Sequence, residues 1–168
     1  MSDVRLTRYD RWMYKTMNRR EYEGLYATAA RRRVLFGAHL ALTAAYVAAG
    51  LAAVLVPSVT ALWVMLVLLV PWCVAMGAIN TATRGLLELR RRALDERQRA
   101  ERSEVLARAH RVTTVLLVAT AVAAAVYGHT GGDLAPPSLP ALTALLVTHA
   151  LTPRWTALLR TQNEPTDD

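Results

Sequence analysis

Three long apolar runs and a fourth, more polar one divide the chain, and they set the elements that the pattern predicts. Residues 34–56 and 59–79 contain no charged side chain, and each supplies the roughly 20 apolar residues that a helix needs to cross the hydrocarbon of a bilayer. The break at Pro57 and Ser58 is so short that these two helices should form a tight antiparallel hairpin. A third run, 112–128, ends at Tyr127 and Gly128, with Tyr127 placed as an interfacial anchor. A fourth helix is expected over 139–159. Pro140 would sit in its first turn, where a missing N–H is harmless, and Arg154 would reach to the interface beside Trp155. The expected fold class is therefore all-α: a four-span transmembrane helical bundle with an amphipathic N-terminal helix and a charged cytoplasmic helix.

The polar segments between the runs also carry helical periodicity. Within 1–33, Tyr9, Met13 and Met17, followed by Tyr22, Leu25 and Tyr26, recur on one helical face opposite arginine and lysine. That is the pattern of a helix lying in the headgroup region, with a break expected at Asn18 to Arg20 or at Gly24. Across 80–111, Glu88 is spaced to meet Arg92, Asp95 to meet Arg99, Glu104 to meet Arg108, and Arg92 to meet Glu96. Leu87, Leu94, Val105 and Leu106 form a thin apolar side. This segment should be a helix continuing out of the second span. The remaining segments are an outer loop at 129–138 and a tail at 160–168.

Charge orients the bundle. Of the 20 Lys and Arg residues, all but Arg154 and Arg160 precede Val34 or lie between Arg84 and Arg111, whereas the loop 129–138 carries only Asp133. Basic segments are retained on the cytoplasmic side, so a bacterial plasma-membrane protein with both termini in the cytoplasm is expected. The first run begins after more than thirty mostly polar residues and is too long for a cleaved signal, so it should persist as an anchor. A net charge of +7 would point to nucleic acid in a soluble domain. Here topology accounts for it, and the expected contacts are the bilayer and its anionic lipids rather than nucleic acid. Lys15 is the single lysine, and alanine is abundant, a bias typical of high-GC bacterial genomes. With 54% hydrophobic residues and mean hydropathy +0.21, the chain suits one compact membrane domain.

The LDERQ stretch at residues 94–98, in a charged helix between two apolar spans, resembles uncharacterised small multipass integral membrane proteins of actinobacterial type. The resemblance covers about a fifth of the chain. It implies a habitat and no reaction.

Candidate chemistry is sparse. No Asp, Glu or Lys falls in the first three runs, so the buried carboxylate on which small proton-coupled multidrug transporters depend is missing. Glycine-rich phosphate loops, nucleophile elbows and HExxH helices are absent, and Gly131-Gly132-Asp133 reads as a turn. Cys73 is the single cysteine, which excludes an internal disulfide. His39 and His149 are expected at one depth, a spacing compatible with ligating a haem from both faces; with His110 the three could hold a divalent metal. The competing reading gives each histidine a backbone carbonyl or a threonine such as Thr43 or Thr148 as partner. Gly37, Ala41, Ala45 and Ala49 form a small-residue stripe suited to packing within the bundle or to a second copy. Pro71 should bend the second span, with Trp72 filling the bend.

These features predict no enzyme and no cofactor, but a small membrane subunit or scaffold that engages a protein partner or forms a homo-oligomer. The expected partner surface is Asp95, Glu96, Glu101 and Glu104. Two alternatives are a haem- or metal-binding redox subunit using His39 and His149, and an oligomeric export or permeability component.

Overall fold

The computed structural model describes residues 7–17, 21, 24, 26–55, 59–90 and 93–160, so the expected Pro57-Ser58 turn, the Asn18 to Arg20 break, Arg92 with its pairs to Glu88 and Glu96, and the tail at 161–168 lie outside the described residues. Among the described residues there are five helices: α1 Arg8–Met17, α2 Ala29–Leu55, α3 Val59–Ala82, α4 Glu96–His129 and α5 Ala135–Arg160. The protein is all-α among these residues.

Three of the helices are long and apolar enough to cross a membrane: Ala29–Val54, Val59–Ala82 and Glu96–His129. The expectation of four spans is corrected to three. The fifth helix has the length, at 26 residues, but not the composition. Pro140, Pro153, His149, Arg154 and the threonines at 143, 148, 152 and 156 dilute its leucines below what the hydrocarbon requires. It lies along α4 and makes its remaining contacts with α2 and α3. It starts at Ala135, earlier than expected, just after an Asx turn in which Asp133 Oδ1 accepts from the Ala135 N–H at 3.0 Å.

A second correction concerns the charged segment. It does not continue the second span. The chain leaves α3 through Arg84 at φ 51° and Gly85 at φ 67°, with the Gly85 N–H donating to the Asn80 carbonyl at 2.9 Å. This left-handed pair closes the helix, and glycine tolerates the conformation without a Cβ penalty. Leu86, Leu89 and Leu94 then fold inward and are buried. A new helix begins at Asp95, whose carboxylate accepts from the Gln98 N–H at 2.7 Å while the Gln98 side chain accepts from the Asp95 N–H at 3.1 Å. This reciprocal capping box satisfies two backbone donors and starts α4. From there α4 runs without proline into the third apolar run, so the charged helix and the third span are one element of 34 residues.

The core sits at one end of the bundle. Ile79, Ala82, Leu151, Trp155 and Leu158 form its centre, with Leu35, Phe36, Trp72 and Met76 packed around them. Leu86, Val105 and Ala157 form an adjoining cluster. These contacts bring together the start of α2, the end of α3, the head of α4 and the end of α5. Among the described residues, none in 44–54, 59–74, 110–129 or 137–150 is buried. Most of the small-residue stripe faces outward: Ala41 and Ala45 are exposed and a Cβ built on Gly37 would meet nothing within 4 Å, whereas Ala49 is partly buried.

Candidate functional site

The packed end is also the basic end, and it carries the polar side chains that acyl chains cannot solvate. At its centre His39 is fully buried. The indole N–H of Trp155 donates to His39 Nδ1 at 3.0 Å, tying α5 to α2 across 116 residues of sequence. Since Nδ1 accepts, the neutral ring carries its proton on Nε2, and that atom is buried without a hydrogen-bond partner. Two indoles enclose the imidazole: Trp155 edge-on at 6.1 Å between centroids and Trp72 tilted at 5.3 Å. Phe36 meets Trp155 edge-to-face at 5.7 Å. Trp72 is held in turn by donating to Thr43 Oγ1 at 3.0 Å, and the Thr43 hydroxyl donates to the His39 carbonyl at 2.8 Å. Trp72 therefore packs across to α2, and Trp155 is a core residue.

This arrangement decides what His39 can do. Its Nδ1 lone pair is engaged by Trp155 and its Nε2 bears a proton, so neither nitrogen is available to a metal or haem iron in this geometry. His149 and His110 are exposed on α5 and α4. Among the described residues, no group of three or more His, Cys, Asp or Glu side chains is placed to hold a metal ion. The residues do not fit the metal trio of His39, His110 and His149.

Beside the histidine, Arg154 turns to an acid: its Nε lies 3.3 Å from Glu88 Oε1, with the Glu88 side chain 16% exposed. The pair pins the end of α5 to the segment after α3. Burial of an ion pair is favourable only when geometry compensates desolvation, so its value here is positional. A second pair, Arg160 to Glu104 at 2.8 Å, fixes the last turn of α5 to α4. Farther along the connection, Arg102 donates to the Leu89 carbonyl at 2.7 Å and Arg99 to the Leu94 carbonyl at 3.0 Å.

The four acids singled out in the sequence thus have different duties. Asp95 is the N-cap of α4, and Glu104 holds α5. Glu96 is exposed and Glu101 half-buried on the same helix. Only this last pair lies outside the capping and helix-pairing contacts described above. Sequence reasoning missed Trp155 as a partner for His39, because a bond spanning two distant helices leaves no local signal. It also missed the capping box, although Asp95 followed by Gln98 three residues later was a readable one.

Near this end α1 docks on the connection. Thr7 caps it: its N–H and hydroxyl donate to Asp10 Oδ2 at 3.0 and 2.7 Å, and the Asp10 N–H donates to the Thr7 hydroxyl at 3.2 Å. Asp10 is buried, with Arg90 Nε 3.9 Å from its Oδ1, and the Arg90 guanidinium lies over the Tyr9 ring at 5.4 Å. Met17 covers Gly85 so closely that a Cβ there would meet its Cγ at 2.8 Å. One part of the expected lipid-facing stripe therefore rests on protein, while Tyr9, Trp12 and Tyr14 remain about half exposed.

No protein-family model matches the chain, no curated protein matches it, and no solved structure matches it. The resemblance of residues 94–98 gains no support from these comparisons. The functional reading rests on the geometry.

Proposed function

We propose that this multispan membrane protein is a non-enzymatic subunit or scaffold of a bacterial plasma membrane, which docks a protein partner through the head of α4. The observation that carries the reading is the division of labour among the acids. Asp95 and Glu104 are consumed in building the bundle, while Glu96 and Glu101 stand on a helix whose charged part extends past the apolar run. Exposed pairs on such a helix contribute only a few tenths of a kcal/mol each, so stability alone gives little reason for these two acids amid so many arginines. A partner presenting basic side chains would complement them. The arginines before Val34 and between Arg84 and Arg111 favour a cytoplasmic place for this end. The test is Glu96→Lys with Glu101→Lys, assayed for insertion and for partner recovery from the same native membranes. Insertion should be unchanged and recovery lost; unchanged recovery would refute the docking surface. A second copy of the chain is favoured as an additional contact by the outward-facing Gly37, Ala41 and Ala45, and cross-linking through a cysteine at position 45 in a Cys73→Ser background would report it.

A further inference from the structure

We infer that the cleft between α4 and α5 at the basic end is a specific site for the phosphate headgroup of an anionic phospholipid. The inference rests on the membrane placement of the chain and is independent of the docking of a protein partner. An open cavity of about 280 Å³ is lined by Arg108, Arg111, Glu104 and Val112 of α4 and by Arg160 of α5. Three guanidiniums from two helices thus converge on one cleft. A single carboxylate opposes them, and it already pairs with Arg160 at 2.8 Å, which leaves Arg108 and Arg111 as the surplus positive charge. Arginine presents a planar fork of donors that matches phosphate oxygens, and basic pockets between membrane helices on the cytoplasmic side suit anionic headgroups.

The depth of the cleft selects a lipid over a soluble anion. Val112 is its apolar wall and opens the third apolar run. From Arg108, the helical positions 111, 112, 115, 118 and 122 follow at spacings of three or four and so lie on one face. Val115, Val118 and Val122 on that face are 67%, 54% and 57% exposed. The guanidiniums therefore cap an uncovered valine stripe, which is the arrangement a phospholipid needs, with phosphate at the top and acyl chains along the helix. A soluble phosphate would use the arginines and leave the stripe without purpose.

The full chain in nanodiscs of phosphatidylcholine, with and without phosphatidylglycerol, tests this by native mass spectrometry. Arg108→Gln with Arg111→Gln leaves the Glu104–Arg160 pair in place, whereas a control of Arg8→Gln, Arg33→Gln and Arg97→Gln removes more charge from outside the cleft. Wild type and control should retain bound phosphatidylglycerol, and the cleft variant should lose it by roughly tenfold or more. Equal loss in the control would reduce the site to diffuse attraction and overturn the proposal. Retention in the cleft variant would overturn it as well. Inorganic phosphate that bound wild type in neutral nanodiscs, and failed to bind the cleft variant, would reassign the cleft to a soluble anion. A photo-reactive phosphatidylglycerol applied to wild-type protein needs no variant to fold: labelling should fall within residues 104–122 and the last turn of α5, and labelling elsewhere alone would refute the site.

Discussion

At the basic end of the bundle Ile79, His39, Val105 and Leu158 are completely buried, whereas toward the opposite end Val67, Val118 and Val122 keep 69%, 54% and 57% of their surface exposed. In water the second pattern would be a severe aggregation liability. In lipid it is neutral, because acyl chains are as apolar as valine and there is no hydrophobic gain in covering one with the other. Packing is therefore concentrated where the chain carries groups that lipid cannot solvate: an imidazole, two indoles, a Glu–Arg pair and the termini of four helices. The contrast teaches that in this protein burial marks polar need, and that hydrophobicity marks exposure.

Substitutions at the two ends should separate these rules. The largest effect is expected for Trp155→Ala, which empties the centre of the core and leaves both nitrogens of His39 without partners; it should lower stability in mild detergent by about 3–5 kcal/mol, read as a fall in Tm. Trp155→Phe keeps most of the ring contact and loses only the donated hydrogen bond, so a loss of about 1 kcal/mol is expected. If the two variants were equally damaging, the hydrogen bond and not the packing would organise this end.

Next in size is Gly85→Ala. A Cβ in the left-handed region costs about 1–2 kcal/mol, and this one also forces Met17 aside, so α1 should become more protease-sensitive as Tm falls. Gly37→Ala is its matched control. Nothing lies within 4 Å of the added methyl and alanine is the better helix former, so stability should rise by about 0.5–1 kcal/mol and Tm should not fall. Asp95→Ala removes the N-cap of α4 and should cost about 1 kcal/mol, with faster amide exchange confined to the first turn from Glu96. The smallest effect belongs to the lipid-facing end, where Val67→Ala should change stability by less than about 0.5 kcal/mol. A loss as large as that at Trp155 would mean that Val67 is covered by something other than lipid.

Much of this was readable from the residues. Runs of twenty apolar positions declare α2 and α3 because backbone groups in hydrocarbon must bond internally, which leaves helix as the local answer. The arginine blocks marked the end at which the helices converge. Two things were not legible. The fourth apolar segment looked like a span because Leu142, Leu145, Leu146 and Val147 dominate its middle, and only the full count of proline, threonine, histidine and arginine along α5 removes it. The joint of the charged helix was misplaced because helical charge spacing is the same whether the helix continues the second span or precedes the third. Gly85 and the Asp95 to Gln98 box decide between them. Of the candidate site, His39 was named from the sequence but its partner was not, since a contact with Trp155 depends on how α5 is threaded.

The fusion of the charged segment to the third span makes α4 a single rod. At 1.5 Å per residue its 34 residues extend about 51 Å, against a hydrocarbon layer of about 30 Å. With no proline between Glu96 and His129, the rod has no joint at the interface. Tilting it by roughly 10° about its far end would sweep Glu96 through about 9 Å, so a change in bilayer thickness that tilted α4 would also displace its charged head.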